Sequence, residues 1–349
     1  MLYGTKNPHG GDVYGEELRL DFSANVTPLG TPPDVVRAIQ QAAELVRQYP
    51  DPYCRRLTEA IAAHEGVPER FILCGAGAAE LIYSFCDALR PGLVAETAPT
   101  FSEYSLAAEH FGARTVRWEL RREKGFLPDE GILDFIREAR PDVLFLCTPN
   151  NPTGRTLPRS LLESVLSLCR GMDIRVMLDE CFLDFTEAQS AADLLPTHEN
   201  LIILKALTKN YALAGVRCGY CLTADGELLK KMSAAVQPWN VSLLAQAAGE
   251  AALRQTDFLK KNREIIPRER ELLENGLRSF GFWVCPSEAN YLLFRAPETL
   301  GHDLREREKI AVRSCSNYPG LGPGWYRTAV RLRNENASLL EAVRRVLED

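Results

Sequence analysis

Between residues 70 and 220 the chain alternates short apolar runs with stretches of helical period, and few folds accommodate that alternation. Phe71–Cys74, Leu93–Ala95, Val143–Cys147, Arg175–Leu178 and Leu201–Leu204 are apolar at nearly every position, as strands buried on both faces require. Helical patterns lie between them, most clearly at Ala79–Leu89 and Arg159–Cys169. The expectation is an α/β fold whose mostly parallel sheet is flanked by helices. Upstream, Thr31-Pro-Pro-Asp opens a helix that sets Val35, Val36, Ile39 and Val46 on one stripe. After Trp239 the pattern changes. A long helical stretch runs to about Leu277, followed by short strands at Phe282–Val284 and Tyr291–Phe294, a helix, a strand around Arg327–Leu332 and a closing helix at Ala337–Leu347. This predicts a large domain over 35–238 and a smaller α+β domain built from 1–34 and 239–349. A length of 349 residues suits two such units packed together.

Composition excludes several classes. A net charge of −6, with Lys and Arg scattered, leaves no electrostatic footprint for nucleic acid or for an anionic membrane. No run approaches the ~20 apolar residues that span a bilayer. The opening MLYGTKNPHGGDV lacks the apolar centre of a signal peptide, so a cytoplasmic location is expected. Ten cysteines are spread singly, apart from Cys218 and Cys221. Those two lie in an apolar run that reads as a buried strand, and their odd spacing sends the sulfurs to opposite faces. Core packing is the expectation for all ten, and the five histidines show no metal-ligand spacing.

Cys74-Gly-Ala-Gly-Ala-Ala-Glu80 follows a strand and opens a helix, so its glycines and free amides suit a phosphate. On this stretch alone two readings stay open. Gly75-x-Gly77, with the strand that ends at Glu96, mimics a dinucleotide fingerprint, although Glu80 stands where the third glycine belongs. The other reading is the phosphate of a smaller cofactor. Further on, Thr148-Pro-Asn-Asn-Pro-Thr-Gly154 follows a buried strand and Asp179 ends another, which puts an amide and a carboxylate at the carboxyl edge of the sheet. Lys209 lies eight residues before Arg217 in an otherwise apolar stretch, beside Thr208. A lysine near other cations and apolar walls has a lowered pKa and attacks carbonyls.

In this order the segments resemble the aspartate-aminotransferase superfamily, the fold-type I enzymes that use pyridoxal 5'-phosphate, over essentially the whole chain. The resemblance implies that Lys209 carries the cofactor as a Schiff base and that Asp179 pairs with its pyridinium nitrogen. It further implies that Asn151 holds the ring oxygen and that Phe101 stacks on the ring. Thr208, Arg217 and the amides after Gly77, those of Ala78 and Ala79, would grip the phosphate. Tyr49, in Tyr-Pro-Asp-Pro, matches a tyrosine that reaches the phosphate of a neighbouring subunit, which implies a homodimer. The chain departs from the common pattern at Phe182, where many relatives carry a tyrosine, and at Ala76 and Ala206, which replace hydrogen-bonding residues.

Three further segments resemble the histidinol-phosphate aminotransferase group and, within it, the threonine-phosphate decarboxylases of cobalamin synthesis. They are His9-Gly10-Gly-Asp-Val13, Asp21-Phe-Ser-Ala-Asn25-Val-Thr-Pro-Leu-Gly30, and Arg313-Ser-Cys-Ser-Asn-Tyr-Pro-Gly-Leu321 with Trp325–Arg331. The resemblance implies that His9, Gly10 and Asn25 face the substrate, that Arg327 binds its α-carboxylate, and that Arg313 with His9 takes a phosphate on it. The reaction would then be decarboxylation of a phosphorylated amino acid or, alternatively, transamination with 2-oxoglutarate. No metal is implied.

Overall fold

The structure is a computed structural model that describes residues 9–15 and 17–348. Residues 1–8, part of the stretch read above for a signal peptide, lie outside the described residues. The chain begins with β1 (Leu20–Asp21), α1 (Pro33–Ala43) and α2 (Arg55–Glu65). The alternating segment follows as β2 (Ile72–Gly75), α3 (Ala78–Leu89), β3 (Leu93–Ala98), α4 (Glu103–His110) and β4 (Arg114–Glu119). It continues with α5 (Gly131–Ala139), β5 (Val143–Cys147), α6 (Arg159–Gly171), β6 (Arg175–Asp179), β7 (Leu201–Ala206), α7 (Leu207–Asn210), β8 (Gly219–Leu222) and α8 (Gly226–Ala235).

These strands form one seven-stranded sheet in the order β2-β8-β7-β6-β5-β3-β4. All neighbours are parallel except β8, which runs against both β2 and β7. The strands β5, β6 and β7 are buried along nearly their whole length because helices cover both faces, which is why they read as continuous apolar runs. Each Leu, Ile or Val so buried contributes about 1.5–3 kcal/mol. Two cores result, one on each face. Cys218 falls in the first and Cys221 in the second, as their odd spacing implied. All ten cysteines are free thiols.

Strand β4 went unread in the sequence. It is an edge strand whose Arg114-Thr-Val-Arg-Trp-Glu119 places exposed charges between half-buried residues, so it lacks the apolar run that marked its neighbours. The valine stripe of α1 holds only in part. Val35 is buried and Ile39 half-buried, whereas Val36 is exposed, and the helix ends at Ala43, leaving Val46 outside it and exposed.

The C-terminal part runs α9 (Leu243–Leu253), α10 (Thr256–Ser279), β9 (Trp283–Val284), β10 (Tyr291–Arg295), α11 (Leu300–Glu308), β11 (Ile310–Ala311), β12 (Arg313–Ser314), β13 (Trp325–Ala329) and α12 (Arg333–Glu348). The helical stretch expected as one unit from 239 to 277 is therefore two helices. The first, α9, packs against α1 and α2, and its Ala245, Ala248 and Ala252 belong to the core of the large sheet. A four-stranded antiparallel sheet, β12-β13-β10-β9, carries α10, α11 and α12 around a core of Leu273, Leu292, Phe294 and Leu339. The N-terminal segment joins it, because β1 pairs with β11 and Phe22 is buried in the same core.

Candidate active site

Four polypeptide segments converge on one cleft of about 920 Å³, counting the part open to solvent. They are the carboxyl edge of the large sheet with the turns that follow β3, β5, β6 and β7 and the loop before β8, the start of α3, residues 9–10 with 23–25, and β13 with the loop before it. A cleft at the carboxyl edge of an open α/β sheet is where such folds bind ligands.

Asp179 ends β6 and is buried. Its Oδ1 accepts from the Cys181 amide at 2.8 Å and its Oδ2 from the Tyr104 hydroxyl at 2.6 Å. Burial pushes its pKa up, while these donors and the Lys209 ammonium pull it back. Lys209, on α7, is pushed down to about 8, first by burial and then by the Arg327 and Arg217 charges. A desolvated lysine near two guanidinium groups thus gives up its proton far more readily than a solvated one.

At the phosphate end, α3 starts at Ala78 with no side-chain cap, and Gly77 precedes it at φ +89°. A Cβ on Gly77 would lie 2.6 Å from Arg217 Nη2, so the glycine lets the guanidinium close onto the helix start. Thr208 and the Ala78 and Ala79 backbone complete a cup lined by bare amides, a hydroxyl and a cation, which fits a phosphate dianion. Glu80 does not face this cup. Its Oε2 accepts from the Ala76 amide at 2.6 Å and from Asn240 Nδ2 at 2.6 Å. Glu96, the candidate ribose partner, is buried and paired with Arg117 at 2.8 Å, away from the cleft. The dinucleotide reading therefore loses its acidic ribose partner.

At the substrate end, Arg327 is buried on β13, with Nη1 donating to Asn151 Oδ1 at 2.5 Å and Nη2 to the Ser23 carbonyl at 2.8 Å. Its Nε and both polar side-chain atoms of Asn25 are buried with no partner among the described residues, and both residues line the cleft. Groups left unpaired in a native interior mark a place for a polar ligand. The segment carrying Asn25 is fixed by three bonds. Thr27 N donates to the Lys209 carbonyl at 2.9 Å, Thr27 Oγ1 to Asn262 Oδ1 at 2.5 Å, and Asn290 Nδ2 to the Asn25 carbonyl at 3.1 Å. His9 closes the rim, its ring tilted 5.5 Å from Phe101 and its Nε2 2.6 Å from Glu103 Oε1. Gly10 follows where a Cβ would lie 2.3 Å from the Ser23 carbonyl.

Of the residues named from sequence, the cleft brings together His9, Gly10, Asn25, Ala78, Ala79, Phe101, Asn151, Asp179, Thr208, Lys209, Arg217 and Arg327. Gly77 stands just behind Arg217. Two are set apart. Arg313, on β12, is in register with Arg327, but its guanidinium lies over the Tyr318 ring at 5.4 Å and donates to Asn317, and it is Tyr318, not Arg313, that lines the cleft. Tyr49 is exposed and stacked on Trp239 at 4.6 Å, outside the cleft of its own chain. Sequence reasoning missed Tyr318, Cys147, Cys181 and Tyr104. Tyr104 was within reach, since it lies three residues after Phe101 at the start of a helix. Of the three departures, Phe182 packs edge-on against Tyr291 at 4.9 Å and Ala206 lines the cleft without offering a donor.

Comparison with known proteins agrees with this geometry. The family model described as aminotransferase class I and II matches residues 19–345. The threonine-phosphate decarboxylase of Salmonella typhimurium is 36% identical, over 97% of this chain and 96% of its own. A histidinol-phosphate aminotransferase of Methanothermobacter thermautotrophicus is 34% identical, over 95% of this chain and 90% of its own. Among solved structures, the histidinol-phosphate aminotransferase of Clostridium acetobutylicum superposes with a TM-score of 0.88 at 28% identity, covering 94% of this chain and 99% of that one. A phosphate cup, a buried carboxylate and an activated lysine in one cleft are what pyridoxal 5'-phosphate needs, and the chain belongs to the aminotransferase class I and II family of enzymes that use it.

Proposed function

We propose that this enzyme decarboxylates a small phosphorylated amino acid, L-threonine O-3-phosphate, in cobalamin synthesis. The observation that carries the reading is the doubly anchored Arg327, whose Nε remains unpaired beside an equally unpaired Asn25, with His9 at the rim. Arg327 takes one anion, the α-carboxylate, in a charge-assisted fork. A second anion on the substrate then meets His9 and, once Tyr318 moves, Arg313. The similarity to a threonine-phosphate decarboxylase over nearly the full length of both chains supports the same substrate.

Bound pyridoxal 5'-phosphate supplies an electron sink that stabilises negative charge at the substrate Cα. The chain's residues do the rest. Lys209 holds the cofactor covalently and, released from it, moves a proton at Cα. Asp179 would keep the ring nitrogen protonated, Asn151 would bind the ring oxygen, Phe101 would cover the ring face, and the cup of Ala78, Ala79, Thr208 and Arg217 would fix the phosphate. Because Asn151 and Ser23 hold the Arg327 guanidinium from two sides, the carboxylate is offered in one orientation. That orientation, set by Asn151, Ser23 and Arg327, would decide which bond at Cα is presented for cleavage. Transamination of histidinol phosphate is the second reading, favoured by the 34% identical relative.

The enzyme works as a homodimer in the cytoplasm in this proposal. Tyr49 and Trp239, 78% and 46% exposed and stacked on each other, form an aromatic patch of the kind a second subunit covers. Among the described residues no helix is long and apolar enough to cross a membrane. The test is to supply O-phospho-L-threonine without any keto acid and measure CO2. Release is expected, with unphosphorylated L-threonine at least tenfold poorer in kcat/KM, since each lost charge-assisted contact costs about 1.5–3 kcal/mol. No CO2, with glutamate formed from histidinol phosphate and 2-oxoglutarate, would favour the second reading.

A further inference from the structure

We propose that Tyr104 is a positioning residue that keeps Asp179 ionised, and so sets how strongly the cofactor ring is protonated. The inference rests on the assignment of Asp179 to the ring nitrogen, and on neither choice of reaction.

Tyr104 lies on α4 and is fully buried. Its hydroxyl donates to Asp179 Oδ2 at 2.6 Å, a length typical of a hydroxyl on a carboxylate. Its ring is stacked on Phe145 of β5 at 5.2 Å, 6° from parallel, and meets Phe101 edge-on at 5.6 Å. Two contacts thus fix the ring, and the ring fixes the hydroxyl. The same helix turn carries Glu103, the partner of His9, so α4 joins the floor of the cleft to its rim.

The need for such a donor follows from the surroundings of Asp179. Burial favours the neutral acid, and the titratable groups around it are Tyr104, Cys147, Cys181, Tyr291 and Lys209, of which only Lys209 supplies positive charge. One carboxylate oxygen is satisfied by the Cys181 amide. Without Tyr104 the other would face the cofactor ring alone and become more basic. The proton shared between carboxylate and ring nitrogen would then shift toward the carboxylate, and the ring would withdraw electrons less. Burial and Asp179 both push the phenol's own pKa up, so Tyr104 stays a donor throughout the working range.

The experiment titrates the visible absorbance of the holoenzyme without substrate, which reads the pKa of the Lys209–cofactor linkage directly. Tyr104→Phe keeps the ring and both stacking contacts and removes only the O–H. The linkage pKa should rise by about one unit, the scale of one charge-assisted hydrogen bond divided between two sites. Site-specific 3,5-difluorotyrosine at position 104, a stronger donor of nearly the same shape, should lower it. The second replacement keeps the test decisive should Tyr104→Phe fold poorly. A linkage pKa unchanged in both proteins, or shifted in the same direction in both, would overturn the proposal. The decarboxylase reading would be untouched, because no substrate enters the measurement.

Discussion

Arg327 Nη1 and Asn151 Oδ1 meet at 2.5 Å across 176 residues of sequence, joining the C-terminal sheet to the loop after β5. Tyr291 of the same sheet donates to the Asn150 carbonyl at 3.0 Å, so two buried contacts hold the proposed carboxylate-binding residue in register with the loop proposed to face the cofactor ring. Arg327→Lys keeps the charge but not the fork that bonds Asn151, Ser23 and a carboxylate together. We expect kcat/KM to fall about a hundredfold or more, from loss of at least two charge-assisted bonds of about 1.5–3 kcal/mol each, while cofactor binding is retained. Steady-state kinetics with an absorbance spectrum check both. A variant that lost the cofactor but kept its kinetics when reloaded would mean that Arg327 serves the fold and not the substrate.

Gly77 offers a test of the phosphate cup. At φ +89°, with Arg217 Nη2 2.6 Å from where a Cβ would sit, Gly77→Ala strains the backbone and displaces the guanidinium. A cost of about 1–3 kcal/mol would weaken cofactor binding by roughly five- to 150-fold. Equilibrium dialysis measures it. An unchanged affinity would show that the phosphate binds elsewhere.

Lys209 and Arg217 give a pH dependence to loading of the cofactor-free enzyme. The neutral amine is the nucleophile, and burial with two nearby guanidinium groups holds its pKa at about 8. The loading rate should therefore rise with pH up to about 8 and then level off, where an unperturbed lysine would keep gaining until about 10.4. Stopped-flow absorbance after mixing with pyridoxal 5'-phosphate follows this.

Glu96 should affect stability and not activity. Burial raises its pKa to about 7 despite the Arg117 pair. The folded state thus binds a proton that the unfolded state has lost between about 4.5 and 7, so stability is fully present below that window and falls as pH rises through it. Glu96→Gln should flatten the pH dependence of the melting temperature across this range and leave turnover unchanged. An equally steep profile in the variant would place the titration on another group.

The large sheet was legible because β5, β6 and β7 are buried on both faces and so are apolar throughout. Strand β4 was hidden because an edge strand carries charge. Most of the cleft was legible through local motifs, since Asn151, Asp179 and Lys209 each end or follow a strand of one sheet and Arg217 lies just before another. Tyr104 could be placed beside Phe101 from sequence but not on Asp179, a contact across 75 residues, and Tyr318 was hidden because only the loop path before β13 brings it to the cleft. The position of Arg313 against a tyrosine is likewise a matter of rotamer and loop path, which no spacing encodes.

We expect the cleft to present the carboxylate, and not the hydrogen, of the substrate Cα for cleavage. L-threonine O-3-phosphate deuterated at Cα tests this most directly, with and without 2-oxoglutarate. Decarboxylation breaks only the bond to the carboxylate. The expected result is one CO2 per turnover, an aminopropanol phosphate product that retains the deuterium and gains one solvent proton, and no dependence on the keto acid. Deuterium washed into solvent, with glutamate formed only when 2-oxoglutarate is present and no CO2, would contradict it.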